Sequence, residues 1–207
     1  MAEIRALFWD VGGVLLSNAW DHVERDIAIA HFHLDKPDLE ARHKQLVPAF
    51  EEGRLSLDDY LERTVFNQPR DFTPEDFKQF MFSLSTPKSD VLEIARALSS
   101  QYFSATINNE SRELNQYRIQ TFGLTDFLEL FVSSCFVGMS KPDEPIYRLA
   151  LDLTQFAAEE CCFIDDRPAN IEAAARVGMK TVLLKDAEQV REELRGLGVR
   201  LSGVTPS

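Results

Sequence analysis

Five short apolar runs punctuate the chain, at residues 4–9, 102–107, 128–132, 161–164 and 181–184. Each is too short for a helix and mostly apolar without strict alternation, the pattern of parallel strands buried on both faces of a sheet. Between them the apolar period changes to that of helices. Residues 111–122 run up to a terminating Gly123, and residues 144–153 carry Ile146, Leu149, Ala150 and Leu153 on one face. Pro168 opens a further helix that Gly178 closes, with Ile171, Ala174 and Ala175 facing inward. This alternation predicts an α/β fold, a doubly wound, Rossmann-like core on a five-stranded parallel sheet.

Residues 10–101 separate the first two runs, far more chain than one crossover helix needs. Most of that segment is therefore an insertion, and its pattern is helical. Trp20, Val23, Ile27 and Ala30 form one stripe. Leu57, Tyr60, Leu61, Thr64 and Val65 form a second, opened by Ser56 and Asp59 in capping-box style. A third starts at Thr73-Pro74, with Asp76 in its first turn, and presents Phe77, Phe80, Met81 and Leu84. Pro87 marks the return, after which Val91, Leu92, Ala95 and Leu98 make the helix feeding the second strand. The expected organisation is a core of residues 1–16 and 87–207, with residues 17–86 as an all-helical cap over the crevice at the strand ends. Lobes in that position exclude water and select substrate.

Composition narrows the partners. The 207 residues hold 22 basic and 34 acidic side chains, a formal charge of -12 with no basic block, which disfavours nucleic acid. No apolar run approaches the ~18 residues that span a bilayer, and Met1-Ala2-Glu3-Ile4-Arg5 lacks a signal-peptide pattern. The expectation is a soluble, cytoplasmic protein without a membrane partner. Cys135, Cys161 and Cys162 lack zinc-ligand spacing and read as core thiols of a reducing compartment. His22, His31, His33 and His43 fall in one helical stretch and read as a solvated face rather than a metal site.

Chemistry gathers at the carboxyl ends of the predicted strands. Asp10 ends the first and is followed by Val11-Gly12-Gly13, Asn108 ends the second, Lys141 follows the third, and Asp165-Asp166 close the fourth. Ligand crevices of open α/β sheets lie at that edge, and a Gly pair lets backbone approach a small anion closely. Clustered carboxylates favour a hard cation such as Mg²⁺. Lys141 would keep a nucleophilic carboxylate ionised and offset a phosphoryl group, and Asn108 can donate to a phosphoryl oxygen without adding charge.

Three stretches carry a family resemblance: Phe8-Trp9-Asp10-Val11-Gly12-Gly13-Val14, Lys141-Pro142-Asp143-Glu144-Pro145-Ile146-Tyr147, and Phe163-Ile164-Asp165-Asp166-Arg167-Pro168-Ala169-Asn170 running on to Gly178-Met179. In this order on strand ends they resemble the haloacid dehalogenase-like hydrolase superfamily, nearest to its helical-capped phosphatases. The resemblance implies Mg²⁺-dependent hydrolysis of a small phosphorylated metabolite, such as a sugar phosphate, through an aspartyl-phosphate on Asp10. It also implies Asp10, Asp166 and the Gly12 carbonyl as metal ligands, with Asp165, Asn170 and Asn109 supporting them. Lys141 takes the role of the third motif.

Two positions depart from the family. The phosphatases usually carry a second Asp two residues after the nucleophile, which protonates the leaving oxygen and later activates water; here the residue is Gly12. General acid-base catalysis of that kind contributes ~10² to 10⁴ in rate. Either the leaving group needs little protonation, as in an acyl phosphate, or a substrate hydroxyl, a bound water, a cap residue or Glu110 does the work. The usual strand-end Ser or Thr is replaced by Ile107, with Thr106 facing the other side of the strand. Asn108, Asn109 and turn amides are the substitutes at hand. Arg167 stands as either a substrate contact or an ion-paired loop residue. Carbon-halogen hydrolysis, whose enzymes also lack the second Asp but work without metal, is the rival activity; a catalytically impaired phosphometabolite-binding protein is the non-enzymatic alternative.

Overall fold

Residues 2–201 are described by the computed structural model. Five parallel strands, β1 (Ala6–Trp9), β2 (Phe103–Asn108), β3 (Leu130–Ser133), β4 (Cys161–Asp165) and β5 (Lys180–Leu183), form one sheet in the order β3-β2-β1-β4-β5. β1 lies at the centre, with Trp9 opposite Thr106 of β2 and Ile164 of β4. Every residue of β1 and β4 is buried, which is why those runs lack alternation. The strands fall within two residues of the five apolar runs. The central position of β1 places Asp10 between the ends of β2 and β4.

Among the described residues ten α-helices accompany the sheet: α1 (His22–His31), α2 (Lys36–Glu51), α3 (Leu57–Thr64), α4 (Pro74–Ser83), α5 (Ser89–Leu98), α6 (Arg112–Thr121), α7 (Ser134–Val137), α8 (Glu144–Thr154), α9 (Pro168–Arg176) and α10 (Ala187–Gly196). One face of the sheet packs on Val91, Ile94, Ala95 and Leu98 of α5 with Val190 and Leu194 of α10. The other packs on Ile146, Tyr147 and Ala150 of α8 with Ala173 and Ala174 of α9. The fold is thus the doubly wound α/β arrangement. None of the described helices is long and apolar enough to cross a membrane. All three cysteines are buried and unpaired.

Helices α1 to α4 share a separate hydrophobic cluster built on Trp20, Phe50, Tyr60, Leu61, Phe77 and Met81, which also takes Leu114 from α6. Phe82 of α4 stacks on Tyr117 of α6 at 4.7 Å, and the end of α2 meets α7, so the helical group is seated on two core helices. The chain leaves and re-enters the sheet region side by side, where Leu16 bridges Pro87 antiparallel. Local signals started the helices as their side chains dictate: Ser56 caps α3 through the Asp59 amide, and Thr73 and Asp76 form a reciprocal capping box on α4.

Several facing assignments differ from the sequence pattern. In α1 the residues Val23 (52% exposed) and Ile27 (47%) point to solvent, while Arg25 and Ala28 are buried. The Arg25 guanidinium turns the helix: it donates to the Trp20 carbonyl at 2.8 Å and to both oxygens of Glu40 on α2. A charge paired this completely can displace a Val from the inner face. Leu153 of α8 and Ala175 of α9 are exposed, with Tyr147 and Ala173 taking the inward positions. The histidines do not share one helix: His22 and His31 lie on α1, His33 sits in the following turn at φ 51°, and His43 is buried on α2.

Candidate active site

Asp10 follows the last residue of β1 and is held by its own amide bonding the Ile164 carbonyl of β4 at 2.9 Å. Its Oδ1 accepts from the Val11 amide at 2.8 Å and lies 2.8 Å from Lys141 Nζ. The other oxygen, Oδ2, has no hydrogen-bond partner among the described residues. Burial pushes the Asp10 carboxyl up to about 7, against the pull of Lys141 and with a further push from Asp165. Burial would lower the Lys141 ammonium, yet the charges of Asp10 and Asp165 hold it above its ordinary value. Lys141 is therefore a fixed cation.

The two acids after β4 differ. Asp165 is fully buried and saturated: it accepts from Lys141 Nζ at 2.6 Å, from the Arg167 amide at 2.7 Å, and from Asn170 Nδ2 at 3.0 Å on both oxygens. Asp166 is the opposite case, with a buried Oδ1 that no donor reaches. Its carboxyl is raised by burial and by the charge of Asp165. Oxygens of Asp10, Asp165 and Asp166 lie within 4.8 Å of one another, and one ammonium faces the three carboxylates. An orphaned buried carboxylate oxygen beside excess negative charge fits a hard divalent cation. Gly13 makes the arrangement possible: at φ +78° it lies so close that a Cβ there would stand 2.2 Å from Asp166 Oδ2.

The strand-end asparagines have separate places. Asn109 clamps the Lys141 backbone, donating to its carbonyl at 2.9 Å and accepting from its amide at 2.8 Å. Asn108 is 1% exposed and turned inward, its amide spent on Asn115 at 3.1 Å and its carbonyl on Ser133 at 2.8 Å. It does not line the crevice, whereas Asp10, Gly12, Asn109, Lys141 and Asn170 do. Ile107 is core and the Thr106 hydroxyl is buried without a partner.

The crevice opens into a cavity of about 420 Å³ between the strand ends and the inserted helices, a volume suited to a small metabolite. Helix α2 forms its roof through His43, Val47, Phe50 and Glu51. Tyr60 OH accepts from Trp20 Nε1 at 2.9 Å and shares a hydrogen bond with His43 Nδ1 at 2.8 Å. Burial and the nearby Arg25 charge lower His43 to about 4, so the imidazole is neutral. Arg167 pairs with Asp21 at the head of α1 at 2.8 Å, an exposed link across the mouth.

Arg118 and Glu51 are among the charged residues here that sequence reasoning missed. Arg118 of α6 is 1% exposed; it pairs with Glu110 at 2.8 Å and donates to the Ser17 carbonyl at 2.6 Å. A Cβ added to Gly12 would stand 3.8 Å from Arg118 Nη1 and 3.4 Å from Asn18 Oδ1, so these groups border the space beside Gly12. Its spacing after Leu114, one helical turn on, was the available signal. Glu51, the last residue of α2, also faces the cavity, and nothing local in the sequence distinguishes it from other acids of the insertion. Glu110 is engaged at both oxygens, by Arg118 and by the Ser111 amide, which removes it as a free proton carrier.

A family model described as hydrolase, haloacid dehalogenase-like hydrolase, matches residues 4–178. The chain belongs to this family. It is a hydrolase of the haloacid dehalogenase-like class. Flavin mononucleotide hydrolase 1 of Arabidopsis thaliana is 27% identical over 204 residues, covering 91% of this chain and 79% of the relative. Phosphoglycolate phosphatase of Aquifex aeolicus is 25% identical over 186 residues, 87% of this chain and 84% of the relative. A haloacid dehalogenase-like enzyme of Bacteroides thetaiotaomicron, crystallised with magnesium and inorganic phosphate, superposes with a TM-score of 0.72 at 20% identity, covering 88% of this chain and 94% of that one. The two chains share the fold over that span.

Proposed function

We propose that this hydrolase is a Mg²⁺-dependent phosphatase that acts on a small phosphorylated metabolite, with Asp10 as nucleophile. The observation that carries this reading is the division of labour at the strand ends. Asp10 is tied to Lys141 through one oxygen and leaves the other unbonded, while Asp166, whose Oδ1 is orphaned, brings a carboxylate oxygen within 4.8 Å of one from Asp10. Relatives named as a flavin mononucleotide hydrolase and a phosphoglycolate phosphatase support a phosphorylated substrate. The cation would be held by Asp10, Asp166 and the Gly12 carbonyl; when bound, it supplies positive charge to the phosphoryl oxygens.

The chain's own residues do the rest. Asp10 Oδ2 attacks phosphorus, and Lys141 keeps that carboxylate ionised while lying against the incoming charge. Asp165 and Asn170 fix the Lys141 ammonium, and Asn109 fixes its backbone. Residues 17–86 act as the cap and residues 1–16 and 87–207 as the catalytic core, with α2 excluding water from above. A reducing, cytoplasmic setting suits the three unpaired buried thiols.

Phosphate release from a panel of sugar, nucleotide and acyl phosphates in Mg²⁺ tests the proposal. Turnover that EDTA and Asp10→Asn both abolish is the expected result. Silence across the panel, or activity that survives both treatments, overturns it. The acidic trio sets this reading apart from carbon-halogen hydrolysis, for which chloride release from 2-chloropropionate is the direct assay.

A further inference from the structure

Building on the phosphatase reading, we infer that Glu51, reaching in from α2, is the acid that protonates the leaving oxygen and the base that then activates water, in place of the side chain absent at Gly12. Among the described residues four acids line the cavity: Asp10, Asp21, Glu51 and Glu110. Asp10 pairs with Lys141, Asp21 with Arg167, and Glu110 with Arg118. The Glu51 carboxylate has no hydrogen bond or ion pair among the described residues. Among the described residues it is the one acid of this wall without an ion-pair partner.

Its position is built rather than incidental. The Glu51 carbonyl accepts from Ser134 Oγ at 2.6 Å, and the same hydroxyl accepts from the Glu110 amide at 3.0 Å. One serine of the core thus ties the end of α2 to the loop after β2. Two residues on, Gly53 at φ +70° lies so close to Cys135 that a Cβ there would stand 2.3 Å from its carbonyl oxygen. The end of α2 cannot drift away from the core without breaking both contacts. His43, Val47 and Glu51 are four residues apart on one face of α2, which directs Glu51 into the cavity with them.

The surroundings suit a proton carrier. Burial pushes Glu51 up to about 7; Glu110 and Asp21 add to the push, while Arg167 and Lys141 oppose it. An acid near the working pH is the one that both gives and takes a proton efficiently. In the first step a bond forms between Asp10 Oδ2 and phosphorus, the bond to the leaving oxygen breaks, and the Glu51 proton passes to that oxygen, releasing an alcohol. In the second, Glu51 takes a proton from water as the water oxygen bonds phosphorus. The Asp10–phosphorus bond breaks, inorganic phosphate leaves, and Glu51 is protonated again. The substrate implied is an alkyl phosphate, whose alkoxide needs that proton, rather than an acyl phosphate.

The test compares leaving groups. kcat/KM is measured for glucose 6-phosphate, glycerol phosphate, acetyl phosphate and p-nitrophenyl phosphate with wild type, Glu51→Gln and Glu51→Asp, in Mg²⁺. Glu51→Gln is expected to lower kcat/KM for the alkyl phosphates by about 10² or more, and for p-nitrophenyl and acetyl phosphate by less than about tenfold. The wild-type alkyl-phosphate profile should fall as pH rises through about 7, a limb that Glu51→Gln lacks and Glu51→Asp keeps. Equal losses on every substrate, or none, overturn the inference. Wild-type turnover confined to acetyl and p-nitrophenyl phosphate also overturns it while leaving the phosphatase reading intact; no turnover of any phosphate overturns that reading itself.

Discussion

Replacing Glu51 by Gln should make the folded protein more stable at neutral pH, although it removes a polar group from the candidate site. The carboxyl lies against the cavity wall without a cation of its own, and its folded value is raised from 4.5 to about 7. Below about pH 4.5 both folded and unfolded chains carry the proton, and Gln, its neutral isostere, should change little. Between 4.5 and about 7 the unfolded chain releases that proton while the folded chain keeps it. The folded state then binds more protons, so stability falls as pH rises through this window. Above it both states are ionised and the loss is constant. At 1.36 kcal/mol per unit the ceiling is about 3 kcal/mol, and water and salt entering the cavity bring the expectation to about 1 to 2 kcal/mol. Urea denaturation of metal-free wild type and Glu51→Gln across this range measures the difference directly, since other titrations cancel in the comparison. A gain absent at about pH 4.5 and complete by about pH 8 is expected. Parallel stability curves at every pH, or a variant less stable than wild type above pH 7, would refute the picture of an uncompensated carboxylate.

Three further outcomes follow from the geometry. Gly13→Ala should leave the fold cooperative but displace Asp166, because the new Cβ falls on its carboxylate at a positive φ; an unaltered Mg²⁺ titration of activity would contradict this. Asp166→Ala should weaken Mg²⁺ dependence and turnover together, and isothermal titration with Mg²⁺ checks it independently of catalysis. Glu110→Ala strands the buried Arg118 guanidinium, 2% exposed at its side chain, and should cost about 3 to 5 kcal/mol in denaturant unfolding; a loss under about 1 kcal/mol would mean that water or Ser17 compensates the charge.

Much of this protein can be read from its order of residues. Parallel strands buried on both faces need continuous apolar runs, so β1 to β5 stand out wherever the chain is cut from its context. Asp10, Lys141 and Asp165-Asp166 are legible for a related reason: each follows such a run, and the ends of parallel strands in one sheet necessarily meet along one edge. Caps such as Ser56 and Thr73 act within four residues and are equally visible.

What the order of residues leaves open is everything settled across distance. Which side of α1 faces inward was decided by Arg25 finding Glu40 on the next helix, an interaction no hydrophobic period contains. Asn108 turned away from the crevice because Ser133 and Asn115, on other elements, satisfy its amide more completely than a solvent-facing position would. Asp165 and Asp166 are adjacent and chemically identical, yet one is saturated by Lys141, Arg167 and Asn170 while the other is left open. Glu51 became part of the site only because Ser134 and Gly53 press the end of α2 onto the core. Local propensity and burial period act through neighbours along the chain and are written there. The protonation and free valence of a side chain depend on which partners and how little water the folded chain brings to it, and those only tertiary structure decides.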